Sequence, residues 1–597
     1  MCGIVGYVGN GQALSVLFDA LRRVEYRGYD SCGVAVHDGN GITVVKDTGY
    51  VDDLRAKTDA IVGSVGIGHT RWATVGEPSA LNAHPHMDCA GNIAIVHNGS
   101  IDNHYELRRG LLQRGHTFQS GTDTEVLAHL LEELSPDGSV TGVTEALSKV
   151  QGSYAIVALF SDSNRLVVAR RGSPIVLGLG KDENMVGSDV PAVLARSKEV
   201  IYPEDGDIAE LTSDGVRIWN NNEQVDRKTH PITQGAEKLD KAGYPHFLLK
   251  EIHEQPRVLR DTLAGRISDD NANVTLELDL AGLKHPEELF ILGCGSASYA
   301  CMVGEAFFAA ITDTPALARL ASEVGVPRRK GKEAWSIFLS QSGETADTVD
   351  AAKASRDVGH FTFALTNTPE SSITRIVDRS HELRAGQEIS VASTKTYLAQ
   401  LMGTYLLGLA LYPPEKPRMQ ALVAELRRLP EAVQRVLAMS PEWERLGTEM
   451  AAAEHAFIIG KGLNYPTALE GALKFKEVSY LHAEGYASGE LKHGPFALLD
   501  DKTPVVAIMP HDETYNRMIA AVEEIHSRGA SIIALTDGDD PELTSIAKNV
   551  VLLPGTDSLF SPIVTTVALQ LMAYYCAVAR ECPIDRPRNL AKSVTVH

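Results

Sequence analysis

The sequence predicts an α/β protein of several domains, and three observations predict it. Up to about Asp226, short alternating apolar runs are separated by Gly and Asp turns, the pattern of β-rich layers. Beyond about residue 240, apolar runs end in Gly-rich turns that lead into helical patterns, the βα unit of a parallel sheet. That second pattern occurs twice. A length of 597 residues holds several domains of ordinary size.

The elements follow in order. Ala13 to Val24 and Thr124 to Leu134 carry helical spacing, while Gly41 to Lys46 and Ile156 to Phe160 read as strands. Lys241 to Pro256 is polar and aromatic. It reads as a linker leading into a helix, with Pro256 expected to stop it. After the linker, Phe290-Ile-Leu-Gly293-Cys-Gly295 recurs as Phe457-Ile-Ile-Gly460-Lys-Gly462. Ala364-Leu-Thr-Asn367 recurs as Ala534-Leu-Thr-Asp537 at a similar distance, which predicts α/β domains over 285–430 and 455–585. Pro562 to Ala579 is strongly apolar, but Thr565, Thr566 and Gln570 interrupt it, so a buried helix is expected rather than a membrane span.

Composition excludes several classes of function. A formal net charge of −21 argues against nucleic acid as a partner, because a phosphate backbone requires a basic face. The 7 Cys form no CxxC and no Cys/His pairs at zinc spacing, so no metal site is expected. Gly293-Cys-Gly295 lacks the third glycine of a dinucleotide fingerprint, and no Walker-type loop is present, so no redox or nucleotide cofactor is expected. The N-terminus lacks the basic and apolar segments of a secretory signal, and the cysteine usage fits a reducing cytoplasm.

The chemistry begins at Met1-Cys2-Gly3. Removal of Met1 would make Cys2 the N-terminal residue, a thiol with a base of pKa about 7.7–8.0 on the same few atoms. Asn98-Gly99 follows the apolar run Ile93 to Val96 and reads as a turn dipeptide. Together with Arg27-Gly28-Tyr29-Asp30-Ser31, His69-Thr-Arg-Trp-Ala-Thr74 and Gly121-Thr-Asp-Thr-Glu125, these residues resemble the glutaminase domain of the N-terminal-nucleophile (class II) amidotransferases. The resemblance implies an αββα sandwich over 2–226. It also implies that Asn98 and Gly99 form an oxyanion hole and that Arg27 fixes the N-terminal region. Arg71, Thr74 and Asp123 would hold glutamine, and Trp72 would gate an ammonia channel.

In the second half, Ser340-Gln341-Ser342-Gly343-Glu344-Thr345 follows the apolar run Trp335 to Leu339. Hydroxyls, an amide and a helix N-terminus can wrap a phosphate there without net positive charge. Glu470, Lys474 and Glu477, at i, i+4 and i+7, fall on one helical face. Glu490-Leu-Lys-His493-Gly-Pro495 places a His on a loop, and Pro587-Arg-Asn-Leu-Ala-Lys592-Ser-Val-Thr-Val596 ends the chain with a Lys able to form a Schiff base.

The repeats resemble doubly wound sugar isomerase (SIS) domains, which bind sugar phosphates at strand C-termini. The whole chain resembles the glutamine–fructose-6-phosphate aminotransferase family. That resemblance implies division into 2–226, a connecting segment 227–284, the two SIS domains, and a tail 586–597 that closes the sugar site. The substrates would be glutamine and fructose 6-phosphate, taken by a cytoplasmic homodimer with no nucleic acid, membrane, metal or cofactor. The product would be glucosamine 6-phosphate, the first committed step toward UDP-N-acetylglucosamine.

By the same resemblance, Ser296, Ser340, Gln341, Ser342, Thr345, Val391 and Ala591 would hold the sugar phosphate. His493, steadied by Glu470, would open the ring, Lys592 would form the Schiff base, and Glu477 with Lys474 would move the C1–C2 proton. Val75 stands where the family has His, and Ser296-Ala297 stands where it has Thr-Ser.

Overall fold

The computed structural model describes residues 2–59, 61–162, 164–232, 240–277, 283–323 and 333–595. Expectations touching Met1, Val596 and the linker stretches 233–239 and 278–282 lie outside the described residues. The chain forms two compact units, Met1–Asp240 with Ala591–His597, and Lys241–Leu590.

The first unit is built on two antiparallel sheets. In spatial order, the eight-stranded sheet runs Thr229–Pro231, Glu199–Ile201, Val176–Leu179, Glu183–Gly187, Gly3–Gly9, Val65–Arg71, Ser31–His37 and Ile42–Thr48. The seven-stranded sheet runs Glu223–Val225, Gly215–Asn220, Asp207–Thr212, Leu166–Arg171, Gly152–Phe160, Ile93–Ile101 and His86–Met87.

Strand alternation decides the layers. Ile4 and Val8 of the first strand join Ala94, Val96 and Val157 in a core between the sheets, whereas Val5 and Tyr7 face Leu17, Phe18 and Leu21 of the helix Ala13–Val24. On the other side, Ile93 and Ile95 meet Val126, Leu127 and Leu130 of the helix Glu125–Leu134. Helix, sheet, sheet, helix is the sandwich that the resemblance implies. Each fully buried Val, Ile or Leu contributes about 1.5–3 kcal/mol, so these cores fix the register of the first strand.

The second unit holds two five-stranded parallel sheets of identical topology. The first runs Ala316–Leu320, Glu288–Gly293, Ala334–Ser340, Phe361–Thr366, Arg379–Glu382; the second runs His482–Ala487, His455–Gly460, Pro504–Met509, Ser531–Thr536, Asn549–Leu552. Each has chain order 2-1-3-4-5, a doubly wound arrangement whose first and third strands flank the switch point. The repeated sequence landmarks fall on equivalent strands. The second glycine of each turn, Gly295 and Gly462, has φ of 55° and 58°, a left-handed conformation that suits glycine.

The apolar stretch near the C-terminus forms the helix Ser561–Ala579, the one helix among the described residues long and apolar enough to cross a membrane; 83% of its apolar window is buried inside the protein.

One expectation is corrected here. Pro256 does not stop the connecting helix, which runs Phe247–Leu263 with Pro256 buried inside it. Proline removes the N–H that would bond the carbonyl of Ile252. The side-chain Nε2 of Gln255 donates to that carbonyl instead, at 3.0 Å. Asp585 caps the start of the helix by accepting from the backbone of Phe247 and Leu248.

Candidate functional site

Cys2 precedes the strand Gly3–Gly9, beside the end of Val65–Arg71, with which that strand pairs. Its Sγ accepts from the Trp72 N–H at 3.2 Å, and its carbonyl oxygen accepts from Asn98 Nδ2 at 2.9 Å and Arg27 Nε at 3.2 Å. Burial pushes the Cys2 thiol above its ordinary value, against the opposing pull of the Trp72 N–H and the Arg71 and Arg27 charges. Arg27 is buried and paired to Asp189 at 3.2 Å, and Asp189 also accepts from the Tyr26 hydroxyl at 2.6 Å. Asp30 accepts from the Ala73 N–H at 2.8 Å.

Asn98-Gly99 does not form a turn. Both residues lie inside the strand Ile93–Ile101, opposite Ala155 and Tyr154 of Gly152–Phe160. Gly99 has φ of 136°, and a Cβ there would collide with the Ser153 carbonyl, so this strand position accepts only glycine. Beneath it, four buried histidines pack together. His69 stacks on His84 at 4.1 Å, His84 meets His86 edge-on at 4.7 Å, and His97 bonds Thr124 Oγ1 at 2.9 Å. Burial lowers the pKa of all four, so they are neutral. The sequence motif contained His69, but nothing in it pointed to a contact with Asn98.

Arg71 is buried and donates to the carbonyls of Val75, at 2.6 Å, Gly76, at 2.9 Å, and Glu77, at 3.3 Å. It therefore holds the loop that carries exposed Thr74 and half-buried Trp72. Asp123 is buried and accepts from the Ile101 N–H at 2.9 Å.

In the second unit, the helix Ser296–Ile311 of the first parallel sheet meets the helix Asn464–Lys474 of the second. Ser296 Oγ donates to Glu470 at 3.2 Å and accepts from Lys474 Nζ at 3.1 Å. Lys474 Nζ lies 3.4 Å from Glu470 and 2.5 Å from Glu477. The three residues meet as expected, but not on a plain α-helix: Phe475–Ser479 is a π-helical turn, a feature frequent at functional sites.

Two carboxylates share one ammonium here, and burial decides which of them yields. Glu470 is fully buried, so desolvation, with repulsion from Glu477, raises its pKa to about 7 despite Lys474 and Ser296. Burial disfavours the charge on Lys474 too, but Glu470 and Glu477 overcome it and its pKa rises. Lys474 thus stays charged against the half-buried Glu477, and Glu470 takes up a proton near neutrality.

The loop Ser340-Gln341-Ser342-Gly343 leaves a central parallel strand and enters the helix Ala346–Asp357, with Thr345 at its N-cap. Ser340 Oγ accepts from the Gly343 N–H at 3.0 Å, and Ser342 Oγ accepts from the Glu344 N–H at 3.1 Å. Val391 is buried, its N–H on the Asp585 carbonyl at 3.1 Å. The nearby Lys395 is buried and paired to Glu254 at 2.7 Å, a structural link to the connecting helix.

His493 ends the 3-10 turn Ser488–His493, not an open loop. It is exposed, and among the described residues no bond joins it to Glu470, whose hydrogen bonds go to Ser296 and Lys474. The final segment is anchored through Arg588, whose N–H donates to Tyr480 Oη at 2.7 Å and whose guanidinium lies 4.5 Å over the Tyr480 ring. Ala591 and Lys592 are half-buried and cluster with the first unit.

Two family models match the chain: the glutamine amidotransferase domain over residues 69–195 and the SIS domain over residues 282–410 and 449–580. The chain is 42% identical over 605 residues to the glutamine–fructose-6-phosphate aminotransferase (isomerizing) of Thermus thermophilus, and 42% identical over 619 residues to that of Methanosarcina mazei; all of each chain is covered. Among solved structures, the C-terminal domain of glucosamine-fructose-6-phosphate aminotransferase from Francisella tularensis aligns with a TM-score of 0.54 and 31% identity, over 58% of this chain and all of that domain.

Proposed function

The chain belongs to the glutamine–fructose-6-phosphate aminotransferase (isomerizing) family, and from that premise we propose how its own residues divide the work. The enzyme hydrolyses glutamine and uses the nitrogen to turn fructose 6-phosphate into glucosamine 6-phosphate, the first committed step toward UDP-N-acetylglucosamine.

In the glutaminase half, removal of Met1 frees the α-amino group of Cys2, which takes the thiol proton. The base then sits on the same few atoms as the thiol proton it takes. Sγ attacks the side-chain amide of glutamine, and the oxyanion forms beside Asn98 Nδ2 and the Gly99 N–H. Ammonia leaves with the proton held by the amine, and water releases glutamate from the thioester. Arg71, Thr74 and Asp123 grip the amino-acid end, Arg27 steadies the Cys2 carbonyl, and Trp72 gates the passage of ammonia.

In the isomerase half, Ser340, Gln341, Ser342 and Thr345 hold the phosphate at the N-terminus of Ala346–Asp357, with Ser296, Val391 and Ala591 along the sugar. His493 opens the ring. Lys592 forms the imine at C2, and ammonia displaces it. Glu477, beside Lys474, then moves the proton between C1 and C2. These steps use side chains alone, without metal or cofactor. We further propose a cytoplasmic homodimer that engages neither nucleic acid nor membrane, with domain borders at 226, 284, 430, 455 and 585.

The observation that carries this reading is the Ser296–Glu470–Lys474–Glu477 constellation, in which two carboxylates and a hydroxyl converge on one buried ammonium. The test supplies glutamine and fructose 6-phosphate together to purified enzyme. Equal yields of glutamate and glucosamine 6-phosphate are expected. Glutamate without the amino sugar would overturn the isomerase assignment.

A further inference from the structure

The geometry points to a zinc site formed by Cys89, His116, His129 and Glu132, separate from both reaction centres. The four side chains come from three places in the first unit. Cys89 lies just after the short strand His86–Met87, and His116 lies in the loop after the helix His104–Gln113. His129 and Glu132 sit at i and i+3 on the helix Glu125–Leu134 and so share a face.

The distances are those of a coordination shell. Cys89 Sγ is 3.5 Å from His116 Nδ1 and 3.5 Å from His129 Nδ1. Glu132 Oε2 is 3.0 Å from each of those nitrogens. All four donor atoms lie within 4.8 Å of one another. Around a tetrahedral zinc with Zn–S of about 2.3 Å and Zn–N of about 2.0–2.1 Å, sulfur and nitrogen stand about 3.5 Å apart and nitrogen and oxygen about 3.3 Å. The two sulfur–nitrogen and two nitrogen–oxygen distances therefore stand within a few tenths of an ångström of a tetrahedral shell.

The outer contacts argue the same way. His116 presents Nδ1 to Glu132 and Nε2 to Glu133 at 3.0 Å, so both ring nitrogens face carboxylates. An imidazolium would donate to both carboxylates, and a zinc ion on Nδ1 takes the place of one of those protons. Nε2–H then donates to Glu133, which Arg114 holds in place at 2.6 Å. Behind His129 the nearest carboxylate is Glu125, 3.8 Å from Nε2, a longer approach than the contact behind His116. A carboxylate behind each ligating imidazole is the usual outer shell of a zinc centre.

The donor set selects the metal class. One thiolate, two imidazoles and one carboxylate suit Zn²⁺, whereas Mg²⁺ and Ca²⁺ require oxygen donors. Four protein ligands close the shell, which marks a structural role. On binding, the Cys89 thiol gives its proton to solvent and sulfur donates the freed pair to the ion. Cys89 is exposed, which leaves a path for entry. The ion would tie the helix that begins two residues after Asp123 to the segment after His86–Met87, bracing the unit that carries Cys2.

The test uses the full-length enzyme, stripped with chelator, reloaded with zinc sulfate, gel-filtered and assayed for metal by mass spectrometry. About one zinc per chain is expected, together with a rise in Tm. That zinc should be kept in Cys2→Ser, which removes the thiol of the N-terminal thiol–amine pair, and lost in Cys89→Ser and His116→Gln. Cobalt loading should give the intense visible bands of a tetrahedral site and a thiolate charge-transfer band that Cys89→Ser lacks. Zinc that fails to bind, that persists in Cys89→Ser, or that disappears in Cys2→Ser would overturn the site, as would an octahedral cobalt spectrum. Circular dichroism of Cys89→Ser, altered at an exposed position, separates lost metal from lost fold.

Discussion

His69 sets the direction in which Asn98 faces. Its Nε2 lies 3.1 Å from Asn98 Oδ1 and 3.0 Å from the His97 carbonyl, and burial lowers its pKa to about 3. The ring is therefore neutral and shares a single Nε2–H between two oxygens. With its oxygen engaged, Asn98 turns its NH₂ toward Cys2, where it donates at 2.9 Å.

Glutamine hydrolysis should depend on that arrangement. Asn98→Ala removes the proposed oxyanion donor and is expected to lower kcat by about 10²–10³-fold. His69→Ala leaves the donor present but unoriented, so a loss of about 10–100-fold with nearly constant KM is expected. Glutamate release measures both. Wild-type kcat in His69→Ala would show that Asn98 is oriented without it.

Arg71 spends its guanidinium on three successive loop carbonyls. Lysine offers a point charge in place of that planar fork. Arg71→Lys is expected to raise KM for glutamine about 10–100-fold while kcat changes little, because both the loop and the carboxylate grip loosen. An unchanged KM in steady-state glutaminase assays would remove Arg71 from the binding site.

Glu470 links stability to pH. Its folded pKa of about 7 exceeds the ordinary 4.5, so the folded state binds the extra proton between those values. The resulting stabilisation is complete below about pH 4.5 and is lost as pH rises through 7. Glu470→Gln keeps the shape without the titration, so Tm of the wild type should fall relative to the variant between pH 5 and 8. Lys474→Met leaves the buried Glu470 and the half-buried Glu477 without a cation and should destabilise the second unit by about 3–5 kcal/mol. Parallel Tm curves for wild type and Glu470→Gln would contradict the titration assigned here.

Gln255 replaces the hydrogen bond that Pro256 removes. Gln255→Leu should leave the Ile252 carbonyl buried and unpaired, at a cost of about 1–3 kcal/mol. Thermal unfolding of the second unit reads the loss, and glutaminase activity should be unaffected. In a Gln255→Leu/Pro256→Ala double variant the backbone N–H returns, and much of the stability should return with it.

The architecture was legible in the sequence where local signals repeat. Phe290–Gly295 and Phe457–Gly462 each mark the first strand and turn of a sheet, because a buried parallel strand needs a continuous apolar run and its exit needs a permissive glycine. Other features depend on contacts between distant segments. Asn98-Gly99 looks like a hairpin dipeptide, yet pairing with Gly152–Phe160 holds it within a strand. The proline rule failed at Pro256 because a neighbouring amide compensates. His69 stood inside a quoted motif, but its bond to Asn98 arises only where two sheets meet. Cys89, His116 and His129 are too far apart in sequence to suggest one another until sheet, loop and helix bring them together.

The strand that follows Cys2 has further consequences through its place in the sheet. Gly3–Gly9 lies between Val65–Arg71 and Glu183–Gly187, so the first residues made must wait for a neighbour formed some 180 positions later. Such pairing closes a long loop and folds slowly. On the proposed mechanism, a ribosome-bound chain would expose Cys2 to the enzyme that trims Met1 long before that strand is locked in place. Maturation of the proposed nucleophile and assembly of its pocket would thereby be separated in time, the emerging polypeptide chemically finished at its tip before it could hydrolyse glutamine.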